Sequence, residues 1–200
     1  MAKKISASAR LKQLAAQIPE DRITRVLMQA LESHPSPMGD RSIAIIGSAL
    51  VEKALEVSIL ARLGPFVTPE VRKGIFDHNS SGPLADFSPR IKMAHAMDIV
   101  GKKTTADLNR IRTIRNAFAH TVQLLDFDGP EVAEPCRDLE IFETLTLLGG
   151  WEENAAPRTM YVRVTLGPAD RLKSDLIHPQ RQGLGALFTQ DHLYRSRLLP

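Results

Sequence analysis

Residues 41–63 read RSIAIIGSALVEKALEVSILARL, and this stretch decides the fold. An apolar side chain recurs there every three or four residues, which is the repeat of one face of an α-helix. The members of this stripe are Ile43, Ile46, Leu50, Ala54, Val57 and Leu60. Asp40 is a suitable cap for the start of the helix, and Gly64 with Pro65 ends it. The pattern predicts a long central helix against which the rest of the chain packs.

The segments on both sides carry helical spacing as well. Apolar repeats predict further helices over residues 4–18, 20–33, 69–77, 89–100, 105–122 and 138–148. Thr68-Pro69 and Ser88-Pro89 repeat one pattern, in which a hydroxyl group caps a helix and a proline occupies its first turn. These two pairs therefore mark the predicted starts of two of the shorter helices.

Residues 105–122 form the second helix on which the predicted fold depends. Thr104 or Thr105 is its expected cap. The apolar positions share one face, and they are Leu108, Ile111, Ile114, Phe118 and Val122. Together with residues 41–63 this helix predicts an all-α fold, a compact bundle of about six to eight helices whose neighbours lie antiparallel where loops are short.

The C-terminal part of the sequence is less regular. Residues 128–135 are predicted to form an acidic, proline-bearing turn. Residues 158–166 alternate in a way that suits a strand, although Tyr161, Val164 and Leu172 also fit a helix, so both structures stay open. We expect a helical domain over residues 1–150 and a C-terminal extension over residues 151–200, with room for one more helix before a flexible tail.

Composition narrows the class of protein. Of the 200 residues, 43% are hydrophobic and 24% are charged, as in an ordinary globular protein. The net charge of +3 permits contact with a polyanion but does not require one. Cys136 is the one cysteine, which excludes a disulfide within the chain and a zinc site built on paired cysteines. No apolar run follows Lys3 and Lys4, and none reaches the ~20 residues that span a bilayer, so we expect a cytoplasmic protein without a membrane contact.

Two uncommon strings stand in the middle of the chain. Residues 83–95 read PLADFSPRIKMAH, and residues 107–120 read DLNRIRTIRNAFAH. They resemble the mannitol operon repressor family, in which a Gly-Pro-Leu-x-x-Phe-Ser-x-Arg-Ile-Lys segment precedes a helix that ends in Ile-Arg-Asn-x-Phe-Ala-His. The matching positions are Gly82, Pro83, Leu84, Phe87, Ser88, Arg90, Ile91, Lys92, Ile114, Arg115, Asn116, Phe118, Ala119 and His120.

This resemblance covers about residues 40–140, and the helix from Asp40 to Val57 matches more loosely. Ala85 and Asp86 stand where the family usually has glycine and serine. The resemblance implies an all-α regulator that lacks an obvious DNA-reading helix. It therefore implies a role in transcription control through a protein partner or as a homodimer, with indirect contact to nucleic acid at most and with no cofactor.

Arg115 and His120 also have the spacing of the HEPN ribonuclease motif, in which an arginine and a polar residue are followed by a histidine. Cleavage of RNA through its own 2′-hydroxyl needs a group that moves a proton, and histidine titrates near neutrality. Arginine stays charged and can hold two phosphate oxygens. This second resemblance implies, as an alternative, a metal-independent ribonuclease or toxin with Arg115, Asn116 and His120 in its active site.

Helix geometry limits this alternative. At about 100° per residue, Arg115 lies at the edge of the apolar stripe, whereas Asn116 and His120 share another face and His120 is exposed in a monomer. Arg115 and His120 of one chain diverge too far to meet on a straight helix, so the site would need a bend near Ala119 or a dimer. In the non-catalytic scaffold alternative, Arg115 pairs with an acidic side chain while Asn116 and His120 bind the last carbonyls of the helix.

Four basic residues form the predicted binding set, and they are Arg90, Lys92, Arg112 and Arg115. Such a set either faces solvent or binds phosphate. No metal site is predicted, because the histidines lack metal-ligand spacing. Cys136 has no partner base, and residues 14–27 resemble a helix-turn-helix only faintly because the turn lacks glycine. No complete catalytic set is assembled, so a regulator is the favoured class over an enzyme.

Overall fold

The computed structural model describes residues 25–30, 35–63, 67–139 and 155–177, with side chains of the last range described to residue 167. Residues 25–30 are helical, and His78–Ser80 form a 3₁₀-helix. The longer helices are α1 (Pro37–Arg62), α2 (Pro69–Phe76), α3 (Phe87–Ala96), α4 (Lys102–His120), α5 (Pro130–Arg137) and α6 (Pro157–Ile177). These ranges contain no strand, so the predicted all-α fold is confirmed.

Helix α1 lies at the centre of the packing. α6 makes the most extensive contact with it, and α4 and α3 pack against it as well. The end of α4 lies beside the start of α1, where Arg41 donates a hydrogen bond to the carbonyl oxygen of Thr121 just beyond α4, at 2.8 Å. α1 is consequently buried on more than one face, and Val51, Leu55 and Ile59 are fully buried although they lie outside the predicted stripe.

The start of α1 differs from the prediction. Asp40 is not the cap, since the helix begins at Pro37 and the hydroxyl of Ser36 accepts a hydrogen bond from the amide of Gly39 at 3.2 Å. Proline is pre-organised for the first position of a helix, and serine before it is a favourable cap. The helix therefore starts earlier, and Asp40 falls inside its first turn.

Asp40 instead joins three parts of the chain beneath the surface, where its side chain is 2% exposed. One carboxylate oxygen accepts the amide of Phe127 at 3.1 Å, and the other lies 3.0 Å from Nε of Arg158 on α6. Arg158 also donates to the carbonyl oxygen of Ala30 at 2.7 Å. The first turn of α1 is thereby tied to the loop after α4, to α6 and to residues 25–30.

The predicted start of α2 is confirmed, because the hydroxyl of Thr68 accepts the amide of Val71 at 3.3 Å. The predicted cap of α3 is wrong, since α3 begins at Phe87 after Asp86. Phe87 is buried, and burial of this large apolar side chain stabilises a helix that starts one residue before Ser88. α3 also ends at Ala96 rather than at residue 100.

The ends of α4 differ from the prediction too. Gly101 precedes the helix, and the hydroxyl of Thr105 donates to the Gly101 carbonyl at 2.8 Å instead of accepting an amide as a cap does. At the other end the backbone of Thr121 is extended, so α4 stops at His120. Val122 leaves the helical register and is 98% exposed, although its spacing predicted a core position.

Two segments in the C-terminal part of the chain differ from the predicted turn or decide between the predicted helix and strand. Pro130 begins α5, so the segment predicted as a turn is a helix whose Val132, Ala133 and Cys136 are buried. Residues 158–166 belong to α6, and the alternation was ambiguous because this helix is buried on several sides. The predicted helices over residues 4–18 and 138–148 and the C-terminal tail lie wholly or almost wholly outside the described residues.

An aromatic row at the centre of the core joins α4, the following loop and α6. The ring centroids of Phe118 and Phe127 are 5.1 Å apart, and those of Phe127 and Tyr161 are 5.2 Å apart. Tyr161 is fully buried and donates its hydroxyl hydrogen to the carbonyl oxygen of Ala44 on α1 at 2.8 Å. This core continues across residue 150, and the predicted division into residues 1–150 and 151–200 stays a prediction.

A tight contact between α1 and α6 gives a test of the packing. A Cβ on Gly47 would lie 2.8 Å from Oγ1 of buried Thr165, whereas a Cβ on Gly74 in α2 would meet nothing within 4 Å. We expect Gly47→Ala to lower the free energy of unfolding by about 1 kcal/mol or more, since overpacking costs outweigh the gain in helix propensity. The control Gly74→Ala should raise it by up to about 1 kcal/mol. Urea denaturation measures both, and equal stability of the two variants would contradict this packing.

Candidate functional site

The predicted catalytic residues lie on the last turns of α4. Nη1 of Arg115 donates to the side-chain oxygen of Asn116 at 2.9 Å, and both residues are half-buried. His120 is the last residue of α4 and is exposed, as helix geometry predicts. No hydrogen bond or ion pair joins Arg115 to His120 in the part of the chain that the structure describes. A joint catalytic role for these two side chains stays a prediction.

The predicted basic set does not form one exposed patch either. Arg90 on α3 is only 7% exposed, while Lys92 on the same helix is exposed. Arg112 and Arg115 on α4 are half-buried, and Nε of Arg112 is buried without a hydrogen-bond partner among the described residues. Arg90 lies beneath the surface, and its described hydrogen bonds and ion pairs are made within the fold. A ligand-binding role for the set stays a prediction.

Arg90 satisfies its donors by binding the backbone around it. Its Nε donates to the carbonyl oxygen of Leu84 at 2.7 Å, and its Nη2 donates to the carbonyl oxygens of Ala85 and Phe76 at 3.1 and 3.3 Å. The guanidinium carbon also lies 5.4 Å from the centroid of the Phe76 ring, within range of a cation–π interaction. One side chain thus fixes the end of α2, the following turn and the start of α3.

A close backbone approach supports the same turn. The amide of Leu84 donates to the carbonyl oxygen of Ile75 at 2.9 Å, and the amide of Gly82 donates to that of Asp77 at 3.1 Å. A Cβ on Gly82 would lie 2.4 Å from the Ile75 carbonyl oxygen, so only glycine fits there. The Gly-Pro-Leu string of the resemblance therefore builds a turn that folds back onto α2.

The free edge of the Arg90 guanidinium faces two carboxylates of α1. Its Nη1 lies 3.4 Å from Glu52 and 3.5 Å from Glu56. Glu56 also accepts hydrogen bonds from Arg72 on α2, at 2.6 and 3.2 Å, and from Lys53 at 3.1 Å. These residues form an ionic cluster at the junction of α1, α2 and α3, which we call the Arg90 cluster (Glu52, Lys53, Glu56, Arg72 and Arg90).

The two carboxylates of the Arg90 cluster have opposite pKa shifts. Burial acts to raise the pKa of Glu56, but hydrogen bonds from Arg72 and Lys53 and nearby positive charges outweigh it, so the pKa is lowered. Burial raises the pKa of Glu52, and the charges of Arg90 and Arg115 offset this only in part. The difference follows from hydrogen bonding, because Glu56 accepts charged donors directly.

An open cleft of about 750 Å³ lies beside the Arg90 cluster, between the end of α1 and α2. Its walls include apolar side chains of Leu60, Leu63, Val67 and Phe76, and Glu56, Arg72 and Lys73 add charge. Arg72 already binds Glu56, so its charge is partly neutralised within the protein. The cleft is a neighbour of the cluster and contains neither Arg115 nor His120.

Sequence reasoning found Arg90 but missed its partners. Glu52 and Glu56 are four residues apart and share a face of α1, which is a signal that the sequence does carry. The burial of Glu56 was not predicted, because consecutive residues lie about 100° apart around a helix and Glu56 falls outside the predicted stripe. The role of Arg72 was not foreseeable, because it depends on how α2 folds back against α1.

The described ranges also bear on the questions of a metal site, a reactive cysteine and a membrane-spanning helix. They hold no group of three or more histidine, cysteine or acidic side chains arranged to bind a metal ion. Burial raises the pKa of the Cys136 thiol to about 12, so this thiol stays protonated and is not an activated nucleophile. None of the described helices combines the length and apolar character needed to cross a membrane.

Comparison with known proteins identifies a similar fold. No protein-family model matches the sequence, and no curated protein matches it either. The fold is similar to that of a chain in the X-ray structure of the MtlR-HPr complex from Escherichia coli, with a TM-score of 0.53 and 18% sequence identity. The match covers 75% of this chain and 97% of the other. This similarity of fold supports the resemblance to the mannitol operon repressor family seen in the sequence.

The Arg90 cluster predicts a specific dependence of stability on pH. The folded pKa of Glu56 is below its ordinary value of 4.5, so its ionised form adds stability above that pH, and this stability is lost as pH falls through the folded pKa. We expect Glu56→Gln to cost about 3 kcal/mol at pH 7, because Arg90 loses a buried partner. The cost should shrink as pH falls below 4.5.

Urea denaturation of both proteins at several pH values measures this difference. Glu134→Gln on α5 is the matched control, since Glu134 is exposed, lies beyond the first turn of its helix and is outside the cluster. It should leave stability unchanged at every pH. A constant cost of Glu56→Gln across the acid range would show that the charge of Glu56 does not stabilise the fold.

Proposed function

We propose that this chain is a regulatory protein that acts in transcription control by binding a protein partner, without a clear DNA-reading motif of its own. The observation that carries the proposal is the similarity of fold to a chain of the MtlR-HPr complex, a mannitol operon repressor in complex with another protein. The residues that carry the sequence resemblance lie in the same part of the fold, in the turn after α2, in α3 and in α4.

The location of the signature residues also favours a binding protein over an enzyme. Arg90, the most distinctive charged residue of the first string, is buried and engaged with carbonyl and carboxylate oxygens. Arg115 binds its neighbour Asn116, and exposed His120 lies five residues further along the same helix. A ribonuclease site would need a bend near Ala119 or a second chain to bring a histidine to an arginine, so this alternative and the homodimer stay predictions.

Direct binding tests the regulatory proposal. Isothermal titration of the purified full-length chain with purified HPr from the same organism should give a saturable 1:1 complex with a Kd of about 10 μM or tighter. An unrelated protein of similar size and charge is the control, and it should give only heat of dilution. Absence of saturable binding by a folded sample would contradict HPr as the partner.

An RNA cleavage assay separates the two classes of function. We expect the purified protein to leave a mixed RNA substrate intact in the presence of EDTA, because Arg115 is engaged with Asn116 while His120 is exposed at the end of α4. Arg115→Ala and His120→Ala serve as matched variants. Cleavage by the wild-type protein that both substitutions abolish would establish the ribonuclease alternative and overturn the proposal.

A further inference from the structure

Four large apolar side chains are exposed at the end of the molecule where α1 begins and α4 ends. Val122 is 98% exposed, Leu124 70%, Met38 66% and Ile45 39%. Val122 and Leu124 belong to the loop that follows α4, and Met38 and Ile45 belong to α1. Exposed apolar residues that gather in one place are typical of surfaces that bind other proteins. We call these four residues the loop face.

A pair of hydrogen bonds holds the two parts of the loop face side by side. Nη2 of Arg41 donates to the carbonyl oxygens of Thr121 and Gln123 at 2.8 and 3.4 Å. On α1, Met38 and Ile45 lie one turn before and one turn after Arg41, within about 60° of it around the helix axis. The side of α1 that carries Met38 and Ile45 is therefore the side that contacts the loop.

The loop after α4 is also held by contacts with the core. Phe127 is buried between Phe118 and Tyr161, and its amide donates to Asp40 at 3.1 Å. Asp126 accepts the amides of Asp128 and Gly129, at 3.1 and 2.7 Å, and so closes the turn before α5. A loop fixed at both ends presents Val122 and Leu124 with little ordering cost on binding.

Acidic residues border the loop face on one side. Residues 121–138 contain five acidic residues and one basic residue, in a chain whose net charge is +3. Of these, Asp128, Glu131 and Glu134 are exposed. Burial is the main cause of the raised pKa of Asp40, and the charges of Asp126 and Asp128 add to it, so these carboxylates lie near the first turn of α1. The border is negative where the molecule as a whole is positive.

We propose that the loop face binds a protein partner that presents apolar side chains bordered by lysine or arginine. This inference rests on the proposed function and names the surface that performs it. Charge complementarity selects such a partner, because the exposed carboxylates of Asp128, Glu131 and Glu134 attract a basic rim. A second copy of the chain is disfavoured, since a two-fold contact through this face would set one negative border against another.

Charge insertion at the centre of the loop face tests the inference. The double variant Val122→Glu and Leu124→Glu should bind purified HPr at least tenfold more weakly than the wild-type chain. Both side chains are exposed, so thermal unfolding followed by circular dichroism should be unchanged. The matched control is Val71→Glu on α2, where the valine is 45% exposed, and it should bind like wild type. If wild type binds HPr and the double variant binds equally well, the loop face is not the docking surface.

The acidic border has its own test. Asp128→Lys combined with Glu131→Lys should slow association with HPr several-fold, and raising the salt concentration should reduce the difference from wild type. Glu70→Lys, an exposed substitution on α2, is the control and should have no effect on association. Equal association rates for all three proteins would contradict a partner with a basic rim.

Photo-crosslinking tests the surface independently of HPr. In living cells, p-benzoylphenylalanine in place of Val122 should crosslink the chain to a partner. The crosslinked peptide of that partner should contain lysine or arginine beside apolar residues. The same probe in place of Val71 should not give this product. If HPr fails to bind but this product forms, the choice of HPr is wrong and the surface is right. Equal products at both positions, a product of two copies of this chain, or a link within one chain would overturn the inference.

Discussion

The guanidinium of Arg90 is the group on which the junction of α1, α2 and α3 depends. A buried positive charge is tolerated only when its donors and its charge are both satisfied. Three backbone carbonyls and the carboxylates of Glu52 and Glu56 must therefore converge on it at once. This requirement fixes where α2 ends, how the chain turns at Gly82 and where α3 meets α1. The first string that resembles the mannitol operon repressor family, residues 83–95, therefore contains Arg90 and several of the residues that surround it.

A second buried charge performs the same task at the opposite end of α1. Asp40 binds the loop after α4 through Phe127 and binds α6 through Arg158, while burial raises its pKa. The aromatic row packs directly behind these contacts. A rigid base of this kind allows the neighbouring loop to expose Val122 and Leu124 without collapsing onto the core. In the proposed interface, stability and recognition are connected, because the contacts that hold the loop also position its exposed side chains.

The sequence predicts the helices better than it predicts their ends or their charges. Periodicity identified α1 and α4, because the side of a helix that meets the core must be apolar at regular intervals. It placed Val122 in the core, since spacing alone does not reveal that Thr121 leaves the helix. The sequence also suggested Asp40 as a cap. Its actual partners, Phe127 and Arg158, were not foreseen because they lie far along the chain. The sequence placed Arg115, Asn116 and His120 on one helix, α4. It did not reveal the partners of Arg90, because they come from α1 and from the turn after α2.

The division between buried and exposed residues explains why a resemblance in sequence identifies the fold more readily than the function. Ile114 and Phe118 of the second string are buried, and Arg115 is held by Asn116. These side chains maintain the bundle, and a bundle can serve many functions. The residues that are free to contact a partner begin where the string ends, at His120, and continue into the loop with Val122 and Leu124. In the proposed interface, specificity for a partner resides in side chains that the fold does not require.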